Sequence, residues 1–170
     1  YVAGSSRPLS MMTDALLHGE LDAMTVWEPE MQRAQEALGE DAIEFHDPGG
    51  YRENFALFTT EAKLRDEALR PRIVAFVAAV IQACDAIRHD PREAVALVAK
   101  AGRHDPGLVQ RAWAHHAFPG LVLPNMLDVM VQEEVWVARE TGRAPRGRDA
   151  LSPLIDHTVL RDAMRSIAPA

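Results

Sequence analysis

The run Gly19-Glu20-Leu21-Asp22-Ala23-Met24-Thr25-Val26-Trp27-Glu28-Pro29 constrains this chain more than any other stretch. It follows an amphipathic segment, residues 8–18, in which Leu9, Met12, Leu16 and Leu17 share one helical face. Gly19 fits just beyond a helix end, where a left-handed turn costs least without a Cβ. The short apolar run over residues 21–26 then reads as a buried strand. Pro29 ends it, because proline offers no N–H to a ladder and suits the first turn of a helix. Trp27 and Glu28 are therefore expected at the carboxyl end of a strand and the mouth of a helix. In open α/β sheets that is where ligands bind.

The pattern continues in the same sense as far as residue 60. Residues 28–38 read as a helix with acidic residues near its start and Gly39 as its stop. Residues 42–45 read as a short strand, and His46-Asp47-Pro48-Gly49-Gly50 as a break. Residues 54–60, rich in Phe and Thr, read as a further strand. Ahead of all this, Tyr1-Val2-Ala3 reads as the tail of a strand, followed by a turn in which Ser5 or Ser6 caps the first helix. Alternating helices and strands are the signal of an α/β architecture.

From Glu61 the periodicity is helical. Residues 61–68 form a short helix. Residues 70–89 form a long one, with Ile73, Val77, Val80, Cys84 and Ile87 along one face. Asp90-Pro91 and Asp105-Pro106 each join a capping aspartate to a proline in the first turn. They open helices that run to about residue 101, with Gly102 as its end, and over residues 108–117. Residues 125–141 carry the stripe Leu127, Val131, Val135 and Ala138. Residues 142–148 read as a basic, solvated loop holding Arg143, Arg146 and Arg148, and residues 156–167 as a closing helix.

Several of these stretches carry a family resemblance. The run ALLHGELDAMTVWEP, residues 15–29, resembles a helix, a Gly-x-(Val/Leu)-Asp-Ala strand and a Trp-x-Pro-like turn of ABC-importer substrate-binding proteins. The class is the one that takes up nitrate, taurine, aliphatic sulfonates and thiamine precursors. FALFTTEAKLRDEALRPRIVAFVAAVIQACDAI resembles that family's return strand and long helix. HDPREAVALVAKAG resembles its Asn-Pro-x-Glu-Ala helix, and LSPLIDHTVLRDAM its closing segment. Order and spacing carry the resemblance, which covers nearly the whole chain; no single motif is specific.

The resemblance implies an incomplete periplasmic-binding-protein type II fold of α/β class. Residues 1–53 would be part of the second lobe, and residues 54–170 a mostly helical return segment of the first. It implies the carboxyl-terminal part of a binding protein, as a cloned fragment, a proteolytic product or a truncated gene, with a secretory signal removed or lying upstream. It further implies a small-molecule ligand, an ABC permease as partner, a periplasmic or lipoprotein location, and closure of two lobes about a hinge. An enzyme on the same scaffold, of the desulfinase or pyrimidine-synthase kind, is the alternative. A regulator's effector domain is a third reading, which would need a DNA-binding module. With the first lobe missing, open sheet edges are expected to promote self-association.

Five residues are candidates for ligand binding. Trp27 stacks on or walls off the ligand, and Glu28 accepts hydrogen bonds from an amino or ring N–H. The competing reading makes Trp27 a core residue and Glu28 a helix-start acid. Tyr51, Arg52 and Asn54 fall at the expected hinge, where Arg52 would pair with an anionic group. His46 is a weaker candidate. His115-His116 invites a metal reading, but adjacent helical residues diverge by about 100° and chelate poorly. His18, four residues after Asp14, reads as a cap on its helix end, and Trp113 and Trp136 read as core. No catalytic residue, metal centre or cofactor is expected, since nucleophile-elbow, phosphate-loop and zinc-protease motifs are absent.

Composition bounds these readings. A chain of 170 residues suffices for a real core. The formal net charge of -7 argues against a general nucleic-acid binder. The one cysteine, Cys84, excludes an intrachain disulfide. No run reaches the roughly 18 apolar residues of a membrane span.

Overall fold

The computed structural model describes residues 9–45 and 53–168. The helices are α1 (Leu9–Leu17), α2 (Glu30–Leu38), α3 (Glu61–Arg65), α4 (Arg70–His89), α5 (Pro91–Gly102), α6 (Pro106–Ala112), α7 (Met126–Glu140), α8 (Arg148–Leu151) and α9 (His157–Ile167). Short 3-10 turns cover Gly39–Asp41, Trp113–His115 and Ser152–Leu154. The expected strand tail, turn and caps before residue 9, and the break at residues 46–50, lie outside the described residues.

Among the described residues there is no strand, so the α/β expectation and its incomplete type II binding-protein fold are overturned in favour of an all-helical fold. Residues 21–26, 42–45 and 54–60, which read as strands, belong to neither helix nor strand. A strand exists only where a neighbour supplies a ladder. Here α1 and α2 pack directly on each other, so residues 21–26 serve as part of the link between two packed helices instead of an inserted strand. The apolar side chains of the other two runs stay in water: Ile43, Phe45, Phe55 and Phe58 are 78%, 88%, 87% and 92% exposed.

From residue 61 on, helices are present where they were expected, although α3 ends at Arg65 rather than residue 68 and α6 at Ala112 rather than residue 117. Asp90 caps α5 by accepting from the N–H groups of Arg92 and Glu93 at 3.1 and 3.3 Å. Asp105 caps α6 through the N–H of Leu108 at 2.9 Å. Asp156 does the same for α9 with Thr158 and Val159. Gly19 holds φ +70 after α1, as a left-handed helix end requires, and the His18 ring sits 2.7 Å from the carbonyl oxygen of Asp14. At the end of α5 the left-handed residue is Arg103, φ 56, rather than Gly102.

The chain forms two compact units. One comprises Tyr1–Phe55 and Asp90–Ala117. In it α1 packs on α2, α2 on α6, and α5 on α6. Its core is thin and built from small residues: Ala15, Ala34, Ala94, Val95, Ala99, Leu108, Val109 and Ala112 are buried. Trp113 packs against Val95, Ala99 and Val109, as its stripe suggested.

The other unit comprises Ala56–His89 and Phe118–Ala170. Its main contact is α4 against α9, where Ala78, Ile81 and Ala163 are buried and Val74, Val77, Leu160 and Ile167 pack around them. The buried face of α4 is thus rotated slightly from the stripe read in the sequence, which keeps Val77 but centres on Ala78 and Ile81. Arg70 of α4 ties the two helices by an ion pair to Asp162 at 2.6 Å. Gly120 holds φ +64, and a Cβ there would lie 3.0 Å from the Cβ of Cys84, so both backbone and space favour glycine. Trp136, read as core, is 59% exposed.

Thr13 is buried in α1, and its hydroxyl has no hydrogen-bond partner among the described residues. An unsatisfied buried hydroxyl costs about 1–3 kcal/mol. Thr13→Val keeps the shape and removes that cost. It should raise the unfolding free energy by about 1 kcal/mol or more in urea denaturation; an unchanged or lower midpoint would show that the hydroxyl is satisfied in solution.

Candidate functional site

Two clusters of chemistry-bearing side chains stand out, one in each unit. The first is built at the amino end of α2. Trp27 and Glu28 lie in the link after α1, and the Glu28–Pro29 peptide bond is cis. The Trp27 carbonyl accepts from the N–H of Glu30 at 3.1 Å, so the chain turns there into α2. Glu28 follows the turn inward: its side chain is only 13% exposed. Its Oε2 accepts from the N–H of Gln32 at 3.1 Å, which satisfies one orphan donor of α2 and suits the positive end of the helix dipole. Its Oε1 lies 3.8 Å from Nε2 of His115, in the turn that follows α6. Trp27 remains 62% exposed. The core reading of Trp27 therefore fails, while the helix-start reading of Glu28 describes one of its two oxygens.

The α2–α6 contact also carries an ion pair, Arg111 to Glu36, further along α2. His116 turns away, with Nδ1 3.0 Å from the carbonyl oxygen of Ala112. The adjacent histidines do different things, and neither sits on the α-helix expected there, because α6 ends at Ala112; His115 faces Glu28. Sequence reading missed that partnership because residues 28 and 115 meet only through helix packing. Of the other candidates, Asn54 is half-buried in the same unit. Tyr51, Arg52 and His46 lie outside the described residues. Chemically, the cluster offers an exposed indole on the residue preceding a carboxylate that has one oxygen on the Gln32 N–H and the other facing an imidazole.

The second cluster surrounds Glu134, a buried position on α7 four residues before the buried Ala138. Val135, expected to face inward, is 57% exposed. Arg143 forks onto Glu134 through both Nη atoms. Arg146 donates through its backbone N–H at 2.8 Å, Nε at 3.2 Å and Nη2 at 2.9 Å. These five donors saturate a carboxylate with about four lone-pair sites, so nothing is left to bind a ligand. Arg148 pairs with Asp128 of the same helix. The segment read as a solvated basic loop is therefore clamped to α7, a role hidden in the sequence because its acidic partners lie 9 to 20 residues away.

Hydrogen bonds from Arg143, and then from Arg146, hold the Glu134 carboxyl far below its ordinary range. Arg70 lowers Asp162, and the Thr158 hydroxyl is the first cause of the lowering at Asp156. Among the described residues no group of three or more His, Cys, Asp or Glu side chains is arranged for a metal ion. Among the same residues no helix is long and apolar enough to cross a membrane. No family model, curated protein or solved structure matches the chain.

The acid response of the second unit follows from these three carboxylates. Their folded pKa values lie below the unfolded ones, so their stabilisation is fully present above the ordinary carboxylate range, about pH 4 to 4.5. It is lost as pH falls below that range toward the folded values. Glu134→Gln should flatten the acid limb of a pH–stability curve while lowering stability at neutral pH. An acid limb as steep as that of the unmodified protein would assign acid sensitivity elsewhere.

Proposed function

We propose that this chain is the solute-binding component of an ABC importer and holds a small polar or aromatic ligand at Trp27 and Glu28. The observation that carries this reading is the contrast between neighbours: an indole 62% exposed beside a carboxylate 13% exposed. Leaving a large aromatic in water forgoes roughly 1.5–3 kcal/mol of burial, which a stacked ligand restores. The Gln32 N–H orients the carboxylate, so it presents a fixed acceptor to an amino or ring N–H. Tyr51, Arg52 and Asn54 are the further ligand-binding residues of this reading.

The importer class, the permease partner and a periplasmic or lipoprotein location come from the order of the family-like segments in the sequence. The two-lobed α/β scaffold is not part of the proposal, because the described residues are helical. Within the ligand class, a carboxylate at the site disfavours nitrate and sulfonates and favours nitrogen-bearing rings of the thiamine-precursor kind.

Calorimetric titration with nitrate, taurine, an alkanesulfonate and an aminopyrimidine tests the proposal. The aminopyrimidine should bind, and Trp27→Ala should weaken that binding by about 1–3 kcal/mol, the range for losing a stacked aromatic contact. The melting temperature of the variant should stay close to that of the unmodified protein, since Trp27 is not core. Absence of binding across the panel, or a large loss of stability with affinity retained, would contradict the reading.

A further inference from the structure

The two carboxylate oxygens of Glu28 are in different states. Oε2 is fixed by the N–H of Gln32 at 3.1 Å. Oε1 accepts no hydrogen bond among the described residues, although it belongs to a largely buried side chain. Its neighbour is Nε2 of His115 at 3.8 Å, within ion-pair range but beyond the roughly 2.7–3.2 Å of a hydrogen bond. At that separation the ring attracts the carboxylate only when it is charged. Histidine is the side chain whose ordinary titration falls between about pH 5 and 8. The His115 side chain is half-exposed, so it exchanges its proton with solvent.

Among the described residues, no other charge claims this ring. On α2, Glu30 pairs with Arg33 at 2.8 Å and Glu36 with Arg111 of α6, which leaves Glu28 as the α2 acid within reach. His116, in the same turn, is held by the carbonyl of Ala112. In the link between α5 and α6, Asp105 is engaged by the N–H of Leu108, and the His104 ring lies against Gly102. On α5 itself, Arg92 lies 3.9 Å from Asp90, and Glu93 and Lys100 form no ion pair with His115.

We propose that His115 is a further residue of the ligand site, a proton-operated gate on the Oε1 acceptor of Glu28. The proposal rests on the ligand reading of Trp27 and Glu28. A neutral imidazole leaves Oε1 to an amino or ring N–H of the ligand. A protonated one draws onto Oε1 as an ion pair, which the ligand must displace. The carboxylate stays in place through the exchange, because Oε2 remains on the Gln32 N–H. Only molecules with an open acceptor bind, and apparent affinity scales with their fraction. Affinity is therefore highest above the histidine range and falls as pH drops through it.

A double-mutant cycle on the whole chain tests the pair without any ligand. Glu28→Gln, His115→Gln and the double variant are unfolded in urea at about pH 5.5 and about pH 8, on either side of the main histidine titration. The two substitutions should shift the midpoint non-additively at the lower pH and additively at the higher one. Calorimetric titration with 2-aminopyrimidine, a weak base that is neutral at both pH values, tests the gate. It should bind about two- to fivefold more weakly at the lower pH, the range set by a solvent-accessible ion pair. His115→Gln should show equal affinity at the two. Coupling that is the same at both pH values overturns the gate whether or not the probe binds, as does a pH dependence of binding that survives His115→Gln. Coupling confined to the lower pH, with no binding at either, overturns the ligand reading and leaves the proton-operated pair standing.

Discussion

Close approach of helices through alanine is the constraint on which both units depend. Ala34 and Ala112 sit on α2 and α6, Ala94 and Ala99 on α5, and Ala78 and Ala163 on α4 and α9, all buried. A methyl side chain lets helix axes approach near the short end of the usual 8–10 Å range. It also yields little apolar area per residue, so such an interface contributes less than one built on Leu or Phe. Larger residues at the same positions would push the helices apart, since packed interiors do not absorb added volume.

With so thin a core, polar contacts at helix ends and between helices carry much of the specificity. Asp90, Asp105 and Asp156 each fix where a helix begins, and a cap of this kind is worth about 0.5–2 kcal/mol. Arg70 with Asp162 sets the pairing of α4 with α9, and Glu36 with Arg111 that of α2 with α6. Glu134 folds the following loop back onto its own helix. The candidate site obeys the same logic. Glu28 closes the open end of α2 and reaches the turn after α6, and that double attachment holds Trp27 at the surface beside a defined acceptor.

The sequence made helices legible where local chemistry suffices. Asp-Pro pairs, glycine stops and apolar spacing over residues 70–89 and 125–141 all led to helices that are present. The strands were misread for a physical reason. A run such as residues 21–26 has the composition of a strand, but strand formation is decided by a neighbour elsewhere in the chain, and here none is present among the described residues. The same limit applies to side-chain roles. His115 gains meaning only beside Glu28, and Arg143 and Arg146 only beside Glu134. Trp136 had the spacing of a core residue, yet its helix turns Glu134 and Ala138 inward instead. At the candidate site, the placement of Trp27 and Glu28 at a helix mouth was legible; the histidine partner and the exposure of the indole were not.

The central claim is that the described chain is a helical assembly in which the link ahead of Trp27 has no strand partner. Amide hydrogen exchange resolved by residue tests it most directly, because protection reports hydrogen bonding amide by amide. The account predicts near-unprotected amides over residues 22–26, against strong protection in the interior of α4 and α9. Protection over residues 22–26 comparable to that of α4 would reveal a ladder and contradict it.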